Sequence, residues 1–211
     1  MNDEQQEQQK AVHHSFFLEL FSNGMEWGNR WLTISGLILK GEEHDHVFKK
    51  LEALIVGITL ICIGLFFTLH LFPFKVGLVI ALLLVQRFVE FFIIYSRNFI
   101  LNRGRIYSHF HDENLRGQWL IMMFGLNIIQ LLFVFATWYH FISLNVSTSF
   151  NHSLSLLDSL YFSVVTFMTL GHAQLFPLSV LPKMLVILQS LSFFFILVVV
   201  INGLISLHFK R

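Results

Sequence analysis

The residues whose chemistry stands out lie between Leu156 and Pro182. Leu156–Met168 repeats apolar side chains at helical spacing, then gives way to Thr169-Leu170-Gly171-His172-Ala173, with Pro177 soon after. Ser155, Asp158 and Ser159 are residue types that start a helix, by capping its orphan donors or by sitting near its positive end. Thirteen residues, Leu156–Met168, cover only about 20 Å as a helix and cannot cross a bilayer. The chain must turn back there. Irregular backbone at membrane depth persists only where protein buries it or it lines a water-filled path, because lipid cannot satisfy free amides and carbonyls. A short helix aiming its partially negative C-terminus at the same place favours a cation. The chemistry expected is ion passage. No Gly-rich phosphate loop, paired catalytic carboxylates or nucleophile beside a base appears, so an enzyme is not expected.

Two further groups combine ligand-type side chains: Glu42-Glu43-His44-Asp45-His46 and His109-Phe110-His111-Asp112-Glu113. Imidazole and carboxylate together suit a transition metal or a pH sensor, so His44, His46, His109 and His111 are candidate ligands. Their spacing matches no recognised metal motif, and solvated loop residues are the alternative reading. No cofactor is expected. The single cysteine, Cys62, excludes a disulfide framework and a Cys-based zinc or iron–sulfur site.

The elements that must hold these residues follow from composition. Of 211 residues, 55% are hydrophobic and 13% charged, with 25 Phe and a mean hydropathy of +0.66, which points to lipid rather than water as the solvent. A formal charge of +1 creates no field for nucleic acid, and none is expected as a partner. A crossing helix needs about 20 apolar residues. Four stretches qualify: Ala53–Phe72, Val76–Ser96, Gly117–Ile142 and Met184–Leu207. The second carries Arg87 and Glu90, for which an interfacial helix is the alternative, but they lie three apart, where a helix puts them on one face as a pair and favours a span. Asn127 and Gln130, also three apart, are expected to tie helices together.

With four spans, eleven Lys and Arg residues fall on the side of both termini, against Lys75 and Lys183 opposite. Both termini are therefore expected in the cytosol, in the plasma (inner) membrane. Met1–Lys10 is polar and acidic, unlike a secretory signal, and is expected to remain as a tail. The organisation expected is a cytosolic segment over 1–50, two peripheral transmembrane helices and a cytosolic loop over 51–116, and a pore domain over 117–211. Within the first, Phe16, Phe17, Leu20 and Phe21 recur at helical spacing, for a helix that lies on the inner leaflet or packs against the domain. Ser143–Ser155 is an uncharged outer loop, in which Asn145-Val146-Ser147 and Asn151-His152-Ser153 match the short glycosylation pattern. With Arg87 alone in the second span there is no ladder of charges, so voltage sensing by that route is not expected.

The run Asp158-Ser159-Leu160-Tyr161-Phe162-Ser163-Val164-Val165-Thr166-Phe167-Met168-Thr169-Leu170-Gly171 resembles the pore-helix and filter signature of tetrameric potassium channels. That family reads D-A-x-Y-F-x-x-V-T-x-T-T-V-G-Y-G-D, followed by a Pro. Pro177, Lys183 and Ile187-Leu188-Gln189 stand where bacterial two-helix pore-loop members place similar residues. The resemblance implies an all-α membrane protein with four transmembrane helices and one re-entrant pore helix and filter loop between helices three and four. It implies a homotetramer in the bilayer, with Thr169, Leu170, Gly171, His172 and Ala173 as the selectivity filter around a permeant monovalent cation. Asp158, Thr166 and Gln174 belong to the pore helix and mouth.

His172, Ala173 and Gln174 depart from the family's Tyr, Gly and Asp. A Cβ at the second Gly position resists the left-handed backbone by about 1–2 kcal/mol, four times over in a tetramer. The departure implies relaxed outer sites and weak discrimination between potassium and sodium. His172 either titrates between about pH 5 and 8 at the mouth, repelling cations when charged, or packs behind the filter. The last helix lacks the family's hinge glycine: Ser192 and Phe193 stand in its place. Ser192, Asn202 and Gly203 are the inner-gate candidates, with close helix packing the alternative for Gly203. Phe193–Phe195 is either core or a drying constriction. The rival to a conducting channel is a pore-domain relative that no longer conducts and serves as a membrane sensor or partner-binding subunit. The sequence names no regulatory subunit.

Overall fold

The computed structural model describes residues 44–96, 113–146, 148–171 and 174–208. Among them the chain forms five α-helices: α1 (His44–Thr68), α2 (Phe74–Tyr95), α3 (Glu113–Asn145), α4 (Leu156–Phe167) and α5 (Val180–His208). The front-end segment with Phe16–Phe21, and the cluster with His109 and His111, lie outside the described residues. So do the side chains of His44 and His46, at the start of α1.

Among the described residues three helices are long and apolar enough to cross a membrane, through Phe74–Ile93, Ile121–Asn145 and Val180–Val198. These correspond to three of the four expected spans. The fourth, expected over Ala53–Phe72, is helical, but its described apolar portion is Glu52–Thr68, 17 residues long. The helix stops early because of Pro73. A residue before proline is pushed out of the α region, and Phe72 is accordingly extended, with ψ 143°. A 3-10 turn, Leu69–Leu71, takes up the residues between, and Pro73 then opens α2.

Helix α3 is the hub, in contact with each of the other four. Aromatic rings fill its seams: Phe66 of α1 meets Phe133 edge-on at 5.5 Å, and Phe88 of α2 meets Phe135 at 5.5 Å. Trp138 supplies both bulk and a donor, its indole N–H reaching the Ala81 carbonyl of α2 at 3.1 Å. At Gly77 a Cβ would fall 2.7 Å from the Phe141 ring, so α2 and α3 cross there as closely as they do only because no side chain intervenes.

Polar side chains tie the first three helices together. Arg87 donates to Glu90 at 2.8 Å on its own helix, and to Gln130 at 2.8 Å and Asn127 at 3.1 Å on α3. Gln130 passes the link on, donating to Thr59 Oγ1 at 2.6 Å and the Ile55 carbonyl at 3.0 Å on α1. All five guanidinium-linked or amide-linked side chains, Thr59, Arg87, Glu90, Asn127 and Gln130, are buried. A charge in an apolar bundle is tolerable only with its partners in place. Glu90→Ala, which leaves the Arg87 charge with only neutral partners, is expected to cost about 3–5 kcal/mol, while replacing Arg87 and Glu90 together by Leu costs less, since no unpaired buried charge remains. Thermal unfolding of the purified chain in detergent, compared for the single and double variants, measures the difference.

Candidate functional site

The site begins at a helix start. Ser155 is the N-cap of α4, in extended conformation, and its Oγ accepts the Asp158 N–H at 3.1 Å. In return Asp158 Oδ2 accepts from the Ser155 hydroxyl at 2.6 Å and from the Ser155 N–H at 3.2 Å. This reciprocal box satisfies donors that the first turn leaves orphaned. The hydroxyl bond, foremost, holds the Asp158 carboxyl below the usual carboxylate range.

The next two turns direct polar groups inward. Ser159 and Ser163 are both fully buried. The Ser159 hydroxyl donates back to the Ser155 carbonyl at 2.8 Å and lies 3.4 Å from Nδ1 of buried His140 on α3. Ser163 is the junction of three helices: its hydroxyl donates to the Leu132 carbonyl of α3 at 2.8 Å and accepts from Gln189 Nε2 of α5 at 3.0 Å. Gln189 Nε2 also donates to the Ser163 carbonyl at 2.8 Å, and its Oε1 accepts the Tyr139 hydroxyl of α3 at 2.8 Å. Around this network the Tyr139 and Phe162 rings stand edge to face at 4.8 Å, with Phe150 against both. Twelve residues, about 18 Å of helix, are thus locked laterally at mid-length.

At its far end α4 closes on itself. Met168 is the C-cap, Thr169 N–H bonds to the Thr166 carbonyl at 3.1 Å, and Leu170 N–H reaches the Val165 carbonyl at 3.1 Å. This is the Schellman arrangement, which needs a left-handed residue at the position of Thr169. Thr169 has φ +56°, and Gly171 follows at φ +76°. The signs of φ alternate across 169–171, and alternation of that kind turns successive backbone groups to a common side. A left-handed Thr costs about 1–2 kcal/mol, where Gly171 bears no such cost. The Thr169 hydroxyl donates to the Met168 carbonyl at 2.7 Å. Leu170 projects outward, 75% exposed on the single chain. No basic residue stands in the last turn of α4 to offset its negative end.

Beyond this point the chain returns along the outer loop. Phe150 and Pro177 form an antiparallel bridge, and Leu178 N–H bonds to the Ser149 carbonyl at 2.8 Å. The Leu154 N–H is held by Ser143 Oγ at 2.7 Å, which draws the loop onto the end of α3.

The expected site residues fall as follows. Asp158 caps α4, Thr166 is buried in its last turn, and Thr169, Leu170 and Gly171 form its exposed continuation. His172 and Ala173 lie outside the described residues. The Gln174 side chain is exposed and its carbonyl joins the return segment. Ser192 is buried, with its hydroxyl turned back to the Leu188 carbonyl at 2.7 Å. Asn202 and Gly203 are in α5, and the Asn202 side chain lies outside the described residues. The three phenylalanines do not share one environment: Phe193 meets Phe167 at 5.4 Å, Phe195 meets Phe92 of α2 at 4.5 Å, and Phe194 stays exposed. Among the described residues no group of three or more His, Cys, Asp or Glu is placed to hold a metal. Sequence reasoning missed Tyr139, His140 and Ser163 as positioning groups. Their trace is that each is a polar side chain within a largely apolar helix.

Residues 127–210 match the profile of a family described as "Ion channel". No curated protein and no solved structure matches the chain. The matched stretch takes in most of α3, all of α4 and all of α5, and thus the whole Tyr139–Ser163–Gln189 network.

Two outcomes follow from this geometry. Gln189→Leu removes the acceptor of the Tyr139 hydroxyl and the donor to Ser163, whose own hydroxyl keeps the Leu132 carbonyl, and is expected to destabilise by about 1–3 kcal/mol for the orphaned Tyr139 hydroxyl, read as a fall in unfolding temperature in detergent. The Asp158 carboxyl, depressed by Ser155, contributes stability that is present above its ordinary range and is lost as pH falls through the depressed value. Ser155→Ala is therefore expected to lower stability by about 1 kcal/mol at neutral pH, and its deficit to shrink below about pH 4. Melting curves of both proteins from neutral pH into the acid range test this.

Proposed function

Residues 127–210 match an ion-channel family, and from that premise we propose that the chain is a pore-loop cation channel, permeable to potassium and weakly selective. The observation that carries the proposal is α4 itself. It is 12 residues long, it is held between α3 and α5, and it ends in an exposed backbone stretch at its negative pole. In this reading α1, α2, α3 and α5 are four spans with both termini cytosolic in the plasma membrane. Helix α4 is the re-entrant element, and the filter reads Thr169-Leu170-Gly171-His172-Ala173. Weak selectivity follows from His172 and Ala173 in place of the residues that keep outer sites narrow. The chain acts by conduction, not catalysis, and uses no cofactor beyond the permeant monovalent cation.

One such loop cannot enclose a path, so the proposal includes a homotetramer with Thr169–Ala173 about its axis. Surface properties support it. Only 22% of the apolar stretch of α5 is buried within one chain, against 50% for α2 and α3. Ile187, Leu191, Phe194 and Val198, spaced along one face, are all exposed. On the tetramer reading Phe194 faces the axis or a neighbouring copy.

A second reading, a non-conducting relative that senses or binds a partner in the membrane, draws on Thr169. Its hydroxyl is committed to its own neighbour's carbonyl and its φ is left-handed. Purified protein in liposomes under opposed potassium and sodium gradients separates the two. The first reading expects cation flux with a small reversal potential. It further expects that replacing His172→Tyr and Ala173→Gly together raises potassium over sodium permeability at least about tenfold, equivalent to about 1.4 kcal/mol. A wild type and a double variant that both stay silent under every gradient leave only the second.

A further inference from the structure

Asn151 makes three hydrogen bonds to the return segment beyond α4. Its Nδ2 donates to the Gln174 carbonyl at 2.6 Å, its Oδ1 accepts the Phe176 N–H at 3.2 Å, and its own N–H donates to the Phe176 carbonyl at 3.2 Å. Among the described residues the segment it grips forms no helix before α5, and its other ties to the outer loop are the Phe150–Pro177 bridge, in which Pro177 has no N–H to give, and the Leu178 and Ser179 N–H bonds to the Ser149 carbonyl at 2.8 and 3.3 Å. On the other side Asn151 follows Phe150, which is buried and whose ring lies 6.1 Å from Tyr139 on α3 and 5.5 Å from Phe162 on α4. One side chain therefore joins the rigid junction of α3 and α4 to the chain just three residues past Gly171.

We infer that the Asn151 carboxamide is a positioning residue that sets the width of the ion path at the outer end of the Thr169–Gly171 stretch, and so decides which cations pass. The inference rests on the channel reading given above. Its physical basis is that a path lined by backbone separates cations by size or by carbonyl field only while that backbone is held in place. A carboxamide has the geometry for such a clamp, since it donates to one carbonyl and accepts from one amide two residues on, as a strand neighbour would. The clamp also bears on the pattern Asn151-His152-Ser153, because the nitrogen a glycan would occupy is the one committed to Gln174.

The test uses the full chain made in a host without glycosylation and reconstituted in liposomes, with the permeability of methylammonium relative to potassium taken from reversal potentials. Both probes carry one positive charge, so a change in surface charge leaves their ratio unaltered while a change in width does not. Asn151→Leu is expected to raise that ratio at least about threefold. Asn151→Asp, which keeps the acceptor and loses the donor, is expected to raise it less. Ser153→Ala, which removes the glycosylation pattern and leaves the carboxamide, is expected to match the wild type. Hydrogen exchange at the Phe176 amide provides the readout that needs no conduction, with faster exchange expected in Asn151→Leu. A conducting Asn151→Leu protein whose ratio stays within about twofold of the wild type overturns the inference, whatever its stability. If Asn151→Leu does not fold, the same criterion applied to Asn151→Asp decides. A wild type that passes no cation removes the channel reading and the selectivity role with it. Unchanged exchange at Phe176 in that case overturns the clamp as well, and accelerated exchange upholds the clamp alone.

Discussion

A short helix with two serines on its buried side can lie in an apolar bundle only if neighbouring helices meet those hydroxyls. Leaving one unmet costs more than most single packing contacts return. Ser163 meets this constraint by donating to α3 and accepting from α5, and Gln189 completes the pattern by reaching both the Ser163 backbone and Tyr139. The placement of the helix follows. Once Ser163 is pinned, the cap at Ser155 and the turn at Thr169 can each sit at only one height relative to α3. The exposed stretch Thr169–Gly171 inherits its position from a hydroxyl two turns away.

Helix α3 carries two polar regions that face different ways. Toward its start, Asn127 and Gln130 meet Arg87 of α2, and Gln130 goes on to Thr59 of α1. Further along, Leu132, Tyr139 and His140 meet α4, and Tyr139 also meets α5. The first two helices are thus attached to the same element that holds α4, by bonds that are strong because they are shielded from water. The hydrogen-bonded route from α1 and α2 to α4 therefore runs through α3. The Phe92–Phe195 contact gives a second route, from α2 to α5.

Among the described residues, local backbone preference gives way at the turn after α4. Thr169 occupies a left-handed position that glycine fills more cheaply, and Gly171 occupies another. Strain of this kind persists when surrounding structure over-determines it, and it collects at sites with a function. Here the over-determination is visible in two amide bonds to the Val165 and Thr166 carbonyls and in the Thr169 hydroxyl on Met168.

Much of this was legible in the residues. The apolar character of the helices and the approximate extents of α2 to α5 follow from the residues, although α3 and α5 each begin four residues before the expected apolar run. The cap of α4 follows from Ser155 and Asp158 three apart, and the Arg87–Glu90 and Asn127–Gln130 pairs follow from i, i+3 spacing. These are near-neighbour effects, and sequence records near neighbours directly. The early end of α1 is of the same class, readable in retrospect from Pro73. What only tertiary structure decided is which polar side chain answers which: the two pairs join into one network across about 40 residues, and Gln189 finds Ser163 at 26 residues' distance and Tyr139 at 50. The left-handed turn at Thr169 was set the same way, because its dihedral is imposed by the carbonyls it must close rather than preferred by threonine. Composition chose the solvent and the helices, whereas the pairing of their few polar groups, fixed by which faces meet in the folded bundle, chose where the exposed backbone stands.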